Sequence, residues 1–174
     1  MSGQFMKYSY LAAIPLALAV IAVEGMGQTR HETKFDALRF FEGKTDSVAT
    51  IKLMMKRPYK SRGIGNGEIQ PDGSLLLVQR IEDEGKAPHD RRWHIREVAP
   101  GQFTGTMSEA KGPVTVDEVE GRYRFRFKMK GNVSVEQWIT PLPGGKSAKS
   151  KVTIRKMGIT VGQSEGTITK LSGK

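Results

Sequence analysis

The sequence predicts an all-β protein: an antiparallel up-and-down barrel of about eight to ten strands, plugged at one end by a short N-terminal helix. Its clearest strand alternates apolar side chains (Tyr123, Phe125, Phe127 and Met129) with cationic ones (Arg122, Arg124, Arg126, Lys128 and Lys130). Such period-two alternation is typical of a strand with one buried and one solvated face. Turn signals recur roughly every eight to twelve residues. No amphipathic helix is expected after the first short helical segment. Consecutive strands are therefore expected to be joined by hairpins, as in an antiparallel meander.

The N-terminal residues have the pattern of a secretory signal peptide. A short polar segment carrying Lys7 precedes an uninterrupted apolar run over residues 11–23, and Gly25 and Gly27 follow it. The run is shorter than the about 20 residues that a membrane-spanning helix needs. We therefore expect residues 1–27 to be a cleaved signal peptide and the chain to be periplasmic or otherwise exported, with an uncleaved anchor as the alternative.

The rest of the chain reads as a flexible leader over residues 28–34 and one barrel domain over residues 35–174. Phe35, Leu38 and Phe41 recur three residues apart, which predicts a short helix that Gly43 ends. The strands are expected over residues 46–56, 59–69, 74–83, 89–98, 103–110, 114–119, 122–130, 133–140, 151–157 and 159–171. A meander of this length hides its edges best by closing on itself, so we favour a barrel over a two-sheet sandwich.

Composition limits the classes of partner and site. The formal net charge is +10, which favours anionic partners. The chain contains no cysteine, which excludes disulfides, thiolate metal sites and a lipid-modified N-terminal cysteine.

Several short motifs resemble those of a known family. They are residues 38–43 (Leu-Arg-Phe-Phe-Glu-Gly), 82–85, 92–95 (Arg-Trp-His-Ile), 102–105, 122–123 and 156–162. In this order they resemble an uncharacterised bacterial family of envelope proteins, a domain of unknown function. The resemblance implies a lipocalin-like barrel in the cell envelope. It implies no catalytic residues, because that family has no agreed activity, and lipid anchoring does not carry over because the required cysteine is missing.

The motifs that suggest chemistry are weak. Gly63, Gly65 and Gly67 lack the following helix of a phosphate-binding loop, and their shared face favours a bend or a close backbone approach. His89 and His94 fall on opposite strand faces and cannot share a metal ion. The acidic turn at residues 82–84 is interpreted as a solvated turn facing Arg91 and Arg92, although it is the sole basis for an enzyme. The sequence therefore indicates no catalytic residue, metal or cofactor, and an enzymatic function is disfavoured.

The basic face of residues 122–130 has three interpretations. It is a solvated outer surface, a surface for anionic lipid through Arg122, Arg124, Arg126 and Lys128, or a nucleic-acid surface. Nucleic acid is disfavoured because base stacking needs aromatic and cationic side chains on the same face.

The opposite face suggests a ligand site. We expect Tyr123, Phe125, Phe127, Met129, Trp93, Phe103 and Gln137 to contact a ligand. Met54, Met55, Met107 and Met129 are expected to supply pliant apolar lining. A small apolar, amphipathic or lipid molecule carried inside the barrel is the favoured function, and a filled core is the alternative. A protein that adheres to anionic lipid or to a protein partner through its basic exterior is the second functional hypothesis.

Overall fold

The computed structural model describes residues 35–171. A short helix, α1 (Ala37–Phe40), is followed by ten strands. The strands are β1 (Gly43–Leu53), β2 (Tyr59–Ile69), β3 (Leu75–Asp83), β4 (His89–Ala99), β5 (Gln102–Met107), β6 (Val114–Val119), β7 (Arg122–Met129), β8 (Val133–Pro141), β9 (Ser147–Lys156) and β10 (Ile159–Lys170).

The ten strands form a closed antiparallel barrel, which confirms the predicted fold class. Each strand pairs with its neighbours in the chain, and β1 also pairs with β10 through a register that runs from Thr45↔Lys170 to Leu53↔Gly162. That last pairing leaves no open sheet edge, so the sandwich alternative is wrong. The predicted signal peptide and leader lie outside the described residues. Within residues 35–171 no helix is long and apolar enough to span a membrane.

Helix α1 lies across one end of the barrel. Asp36 caps its N-terminus, because the Asp36 carboxylate accepts hydrogen bonds from the backbone N–H groups of Leu38 and Arg39. Phe40 and Phe41 are buried in the barrel core. We call this the plugged end and the opposite one the open end.

Three inward-facing glycines let the chain pass close to its neighbours. A Cβ atom on Gly63 would lie 2.6 Å from Ser47 Oγ, and one on Gly65 would collide with Thr45 Oγ1. A Cβ atom on Gly67 would collide with the carbonyl oxygen of Phe41, just after α1. The predicted close backbone approach is confirmed, and at Gly67 it sets how deeply the plug enters the barrel.

Five connections form the open end. They are the hairpin turns after β1, β3, β7 and β9 and the longer link between β5 and β6. No helix crosses this end among residues 35–171.

Candidate functional site

The barrel encloses a cavity of about 370 Å³. At the plugged end its lining includes Leu38 and Phe41, and toward the open end it includes Leu53, Tyr59 and Met129. The cavity therefore extends along the barrel axis from α1 to the open end.

One wall of the cavity is aromatic. Trp93 of β4 lies edge-on to Phe125 and Phe127 of β7, with ring centroids 6.3 and 5.7 Å apart. Phe103 and Met107 of β5 line the same side. These rings present apolar faces and edges to the cavity, as a site for a flat or apolar molecule requires.

The facing wall is rich in small side chains, which lie beside larger ones such as Ile51, Tyr59 and Val152. Strands β9, β10, β1 and β2 are consecutive around the barrel. Their cavity-lining residues include Ser47, Ala49, Ser61, Gly63, Ser150, Ser164 and Gly166. Large side chains on one wall and small ones on the other leave the interior partly hollow, because protein cores otherwise fill to a high packing density.

The polar groups within the barrel are largely paired with each other. Trp93 Nε1 donates to Gln79 Oε1 at 2.8 Å, and Gln137 Nε2 donates to Ser150 Oγ at 2.9 Å. Ser47 Oγ donates to the carbonyl oxygen of Gly63 at 3.0 Å. Because these groups satisfy one another, an apolar molecule beside them would leave few of them without a partner.

Charged side chains gather where the cavity meets the open end. Lys86 Nζ lies 2.8 Å from Asp83 Oδ2 and donates to Tyr59 Oη at 3.0 Å. Arg91 forms a two-pronged ion pair with Glu109, through Nη2–Oε2 at 2.9 Å and Nε–Oε1 at 3.3 Å. Asp83 and Arg91 both line the cavity. The cavity is therefore apolar in depth and polar at its mouth.

Asp83 is held as a carboxylate. Burial acts to raise the pKa of Asp83, but the side-chain hydrogen bond from Lys86 and the proximity of Ser61, together with the charges of Lys86 and His89, lower it below its ordinary value. Ser61 is the register partner of Asp83 on the neighbouring strand β2. The mouth thus carries a carboxylate beside the ammonium group of Lys86.

The structure brings six of the seven predicted ligand residues to the cavity wall. They are Trp93, Phe103, Phe125, Phe127, Met129 and Gln137. Tyr123 lies at the plugged end, where its hydroxyl donates to the carbonyl oxygen of Phe35. Its ring contacts Phe35 and Phe103, so Tyr123 supports the plug.

The prediction for two of the methionines is wrong. Met107 and Met129 line the cavity, but Met54 is 55 % exposed and Met55 is 99 % exposed. Strand β1 ends at Leu53, so both residues fall in the turn beyond the barrel wall. Apolar character alone did not separate cavity lining from an exposed turn.

The cationic residues of β7 lie on the outside of the barrel. Arg122 and Arg124 lie over the ring of Trp138 on β8, at 4.7 and 5.5 Å from its centroid. Arg122 pairs with Glu120, while Arg124 and Arg126 both pair with Asp117. Lys128 continues the exposed row. Acidic neighbours thus neutralise part of this surface.

The residues weighed for metal binding and catalysis are separated. His89 Nε2 lies 3.3 Å from Glu109 Oε1, whereas His94 Nε2 lies 3.0 Å from Ser74 Oγ. No group of three His, Asp or Glu side chains within residues 35–171 is arranged to hold a metal ion. Of the acidic turn, Asp83 points into the mouth, which the interpretation as a wholly solvated turn missed.

Sequence reasoning also missed the small-residue wall, Gln79 and Arg91. The signal for the wall was present as alternating Ser, Ala and Gly in β1, β2, β9 and β10. This pattern predicts one wall of a cavity only if the four strands are known to lie side by side in the closed barrel.

Solved structures share this fold at low sequence identity. The S-type phycobiliprotein lyase CPES from Guillardia theta superposes with a TM-score of 0.62 at 10 % identity, over 78 % of this chain and 93 % of that one. A protein of unknown function from the DUF3598 family of Nostoc punctiforme superposes with a TM-score of 0.58 at 10 % identity, over 79 % of this chain and 50 % of that one. No protein-family model matches the chain, and no curated protein matches its sequence. The likeness shows the fold, and the envelope family stays a prediction.

Proposed function

We propose that this barrel binds one small apolar or amphipathic molecule in its cavity. The observation that carries the proposal is the cavity itself: about 370 Å³ between an aromatic wall and a small-residue wall. That volume falls within the range of about 300–1,000 Å³ typical of small-molecule sites. A fully packed core would not leave such a space, because voids larger than a water molecule are few in protein interiors.

The lining indicates the chemistry of the ligand. The apolar lining of the cavity consists of aromatic edges and of side chains such as Met107 and Met129, which suit an apolar chain or a flat ring system. The mouth offers the paired charges of Asp83–Lys86 and Arg91–Glu109. An amphipathic molecule would therefore bind with its apolar body inward and its polar end among these charges.

The proposal extends to where the protein acts. Residues 1–27 have the pattern of an export signal, so we place the barrel in the cell envelope as a carrier. The same pattern disfavours nucleic acid as a partner. The second hypothesis, adhesion of the Arg122–Arg126 surface to anionic lipid, has less support because those arginines pair with Glu120 and Asp117.

Native mass spectrometry of the protein, purified from its host without denaturation, tests the proposal. We expect a mass increment of one small organic molecule that organic extraction removes. Ser164→Phe fills the small-residue wall and should abolish the increment, whereas Gln163→Phe, one residue away on the outer face, should keep it. The absence of any increment, together with no saturable binding of an apolar dye by the extracted protein, would contradict the proposal.

A further inference from the structure

Apolar and cationic side chains share one arc of the open end. The apolar members are Met54, Met55, Met157 and Ile159, and the cationic members are Lys56, Arg57, Lys130 and Lys156. We call these eight residues the rim. They come from the turns after β1, β7 and β9 and from the adjoining strand ends.

The three turns of the rim are neighbours in space. The backbone N–H of Met54 donates to the carbonyl oxygen of Val161 on β10 at 2.9 Å. The N–H of Met157 donates to the carbonyl oxygen of Asn132, in the turn after β7, at 3.4 Å. The rim is thus a continuous strip along one side of the cavity mouth.

The apolar side chains of the rim are unusually exposed. Met55 is 99 % exposed, Met157 78 %, Ile159 65 % and Met54 55 %. Met55 and Met157 also adopt left-handed backbone conformations, with φ of 59° and 51°. Methionine carries a cost there that glycine would not, so these turns hold apolar side chains in water where a polar or smaller residue fits more easily.

The four charged side chains of the rim are all cationic. None of Lys56, Arg57, Lys130 and Lys156 forms an ion pair with an acidic side chain in the described part of the chain, residues 35–171. Acidic residues of the open end include Asp83, Glu84 and Glu109, and their carboxylates have other partners: Asp83 pairs with Lys86, Glu84 accepts from the backbone N–H of Lys60, and Glu109 pairs with Arg91. The rim therefore presents a positive field mixed with apolar side chains.

We propose that the rim docks on an anionic phospholipid bilayer. Exposed apolar side chains ringed by lysine and arginine match the boundary of an anionic membrane, where the apolar groups enter the headgroup layer and the cations meet the phosphates. A second copy of this chain fits less well, because two rims would oppose like charges. Docking in this orientation would place the cavity mouth against the membrane surface.

A fluorescent label at the rim tests the proposal directly. The full chain has no cysteine, so Met55→Cys introduces a single attachment point for an environment-sensitive dye. Val98→Cys, at an exposed apolar residue near the plugged end, is the matched control. With vesicles of phosphatidylcholine and phosphatidylglycerol we expect a blue shift at position 55 and none at position 98. Because each label reports its own position, the apolar run at residues 11–23 cannot produce this difference.

Charge neutralisation tests the electrostatic part. Lys56→Gln, Arg57→Gln, Lys130→Gln and Lys156→Gln together should weaken vesicle binding about tenfold or more, and so should raising the ionic strength from about 0.05 M to about 0.5 M. The control carries Lys44→Gln, Arg96→Gln, Lys146→Gln and Lys149→Gln, which remove the same charge from exposed positions elsewhere. It should bind as the unmodified chain does.

Three results would overturn the proposal. They are an unshifted label at position 55, equal shifts at positions 55 and 98, and equal losses of binding in the two charge variants. The vesicles hold phospholipid alone, so the test does not depend on the cavity ligand. An empty cavity with a docking rim, or a filled cavity with an inert rim, would separate the two proposals.

Discussion

The hydroxyl of Tyr123 on β7 donates a 2.8 Å hydrogen bond to the carbonyl oxygen of Phe35, 88 residues earlier in the chain. This bond joins the segment before α1 to the barrel wall. The Phe35 and Tyr123 rings also lie 5.6 Å apart. The plug is therefore attached to the wall by a buried polar contact as well as by apolar packing.

This contact predicts a loss of stability at alkaline pH. Burial, with the nearby charges of Glu118, Asp36 and Glu97, raises the pKa of Tyr123 to about 12. The pKa of Tyr123 is higher in the folded state than in the unfolded state. The protonated hydroxyl therefore contributes its full share to the free energy of unfolding below the unfolded pKa of about 10, and this contribution is lost as the pH rises through about 12. Denaturant titrations from pH 9 to 12 should show a loss of about 2 kcal/mol in the unmodified protein that Tyr123→Phe lacks.

Tyr59→Phe is the control for the alkaline loss, since it removes a hydroxyl at the open end and keeps Tyr123. It should lose stability as the unmodified protein does. Parallel pH profiles for the unmodified protein and Tyr123→Phe would contradict the assignment to Tyr123.

Gly67→Ala should destabilise the barrel at its plugged end. The new methyl group would collide with the carbonyl oxygen of Phe41, so α1 or β2 must shift. Overpacking of this kind typically costs about 1–3 kcal/mol in the free energy of unfolding. Asn66→Ala, at the exposed neighbouring position, should change that free energy by less than about 0.5 kcal/mol. Equal effects of the two substitutions would show that the contact between Gly67 and Phe41 does not limit packing.

Ser164→Phe should close the cavity without unfolding the barrel. Ser164 lines the small-residue wall, where the empty space can take most of the added ring. Affinity for an apolar dye should fall about tenfold or more, since each 1.4 kcal/mol of lost binding energy is tenfold. Titration of dye fluorescence, with Gln163→Phe as control, measures the change. Undiminished dye affinity in a folded Ser164→Phe protein would place dye binding outside the cavity.

Glu109→Gln should raise the preference for ligands with an acidic end. Glu109 occupies the Arg91 guanidinium in a two-pronged pair, so its neutralisation frees Arg91 to meet a carboxylate at the mouth. We expect the affinity for dodecanoate relative to dodecanol to rise about three- to tenfold by calorimetry. Glu82→Gln removes the same charge from an exposed position of β3 and should leave the ratio unchanged. An unchanged ratio in Glu109→Gln would mean that the polar end of the ligand lies away from Arg91.

More of the fold than of the candidate site could be predicted from the sequence. The alternation in β7 predicted which side chains turn inward, and turn signals placed ten strands close to their observed bounds. Both are local patterns, with a period of two residues or a turn of a few. The pairing of β1 with β10 is different, because it joins residues such as Thr45 and Lys170 from the two ends of the domain.

The candidate site depends on such distant pairings. The aromatic wall was predicted from large residues at the inward-facing positions of several strands. The small-residue wall can be recognised only once β1, β2, β9 and β10 are known to lie together. Met54 and Met55 show the same limit, since the end of β1 at Leu53 decides whether an apolar side chain lines the cavity or the rim. Arg91 was expected beside the acidic turn, yet it pairs with Glu109 from the connection after β5.

The two tryptophans allow a direct test of binding in the cavity. Trp93 lines the cavity, whereas Trp138 lies outside beneath Arg122. Trp138→Phe therefore leaves one tryptophan within the site, and Trp93→Phe leaves one outside it. Titration of both variants with a brominated dodecanoic acid, which quenches by contact, should give saturable quenching at one equivalent in Trp138→Phe alone. Equal quenching in the two variants, or none in Trp138→Phe, would contradict a ligand site inside the barrel.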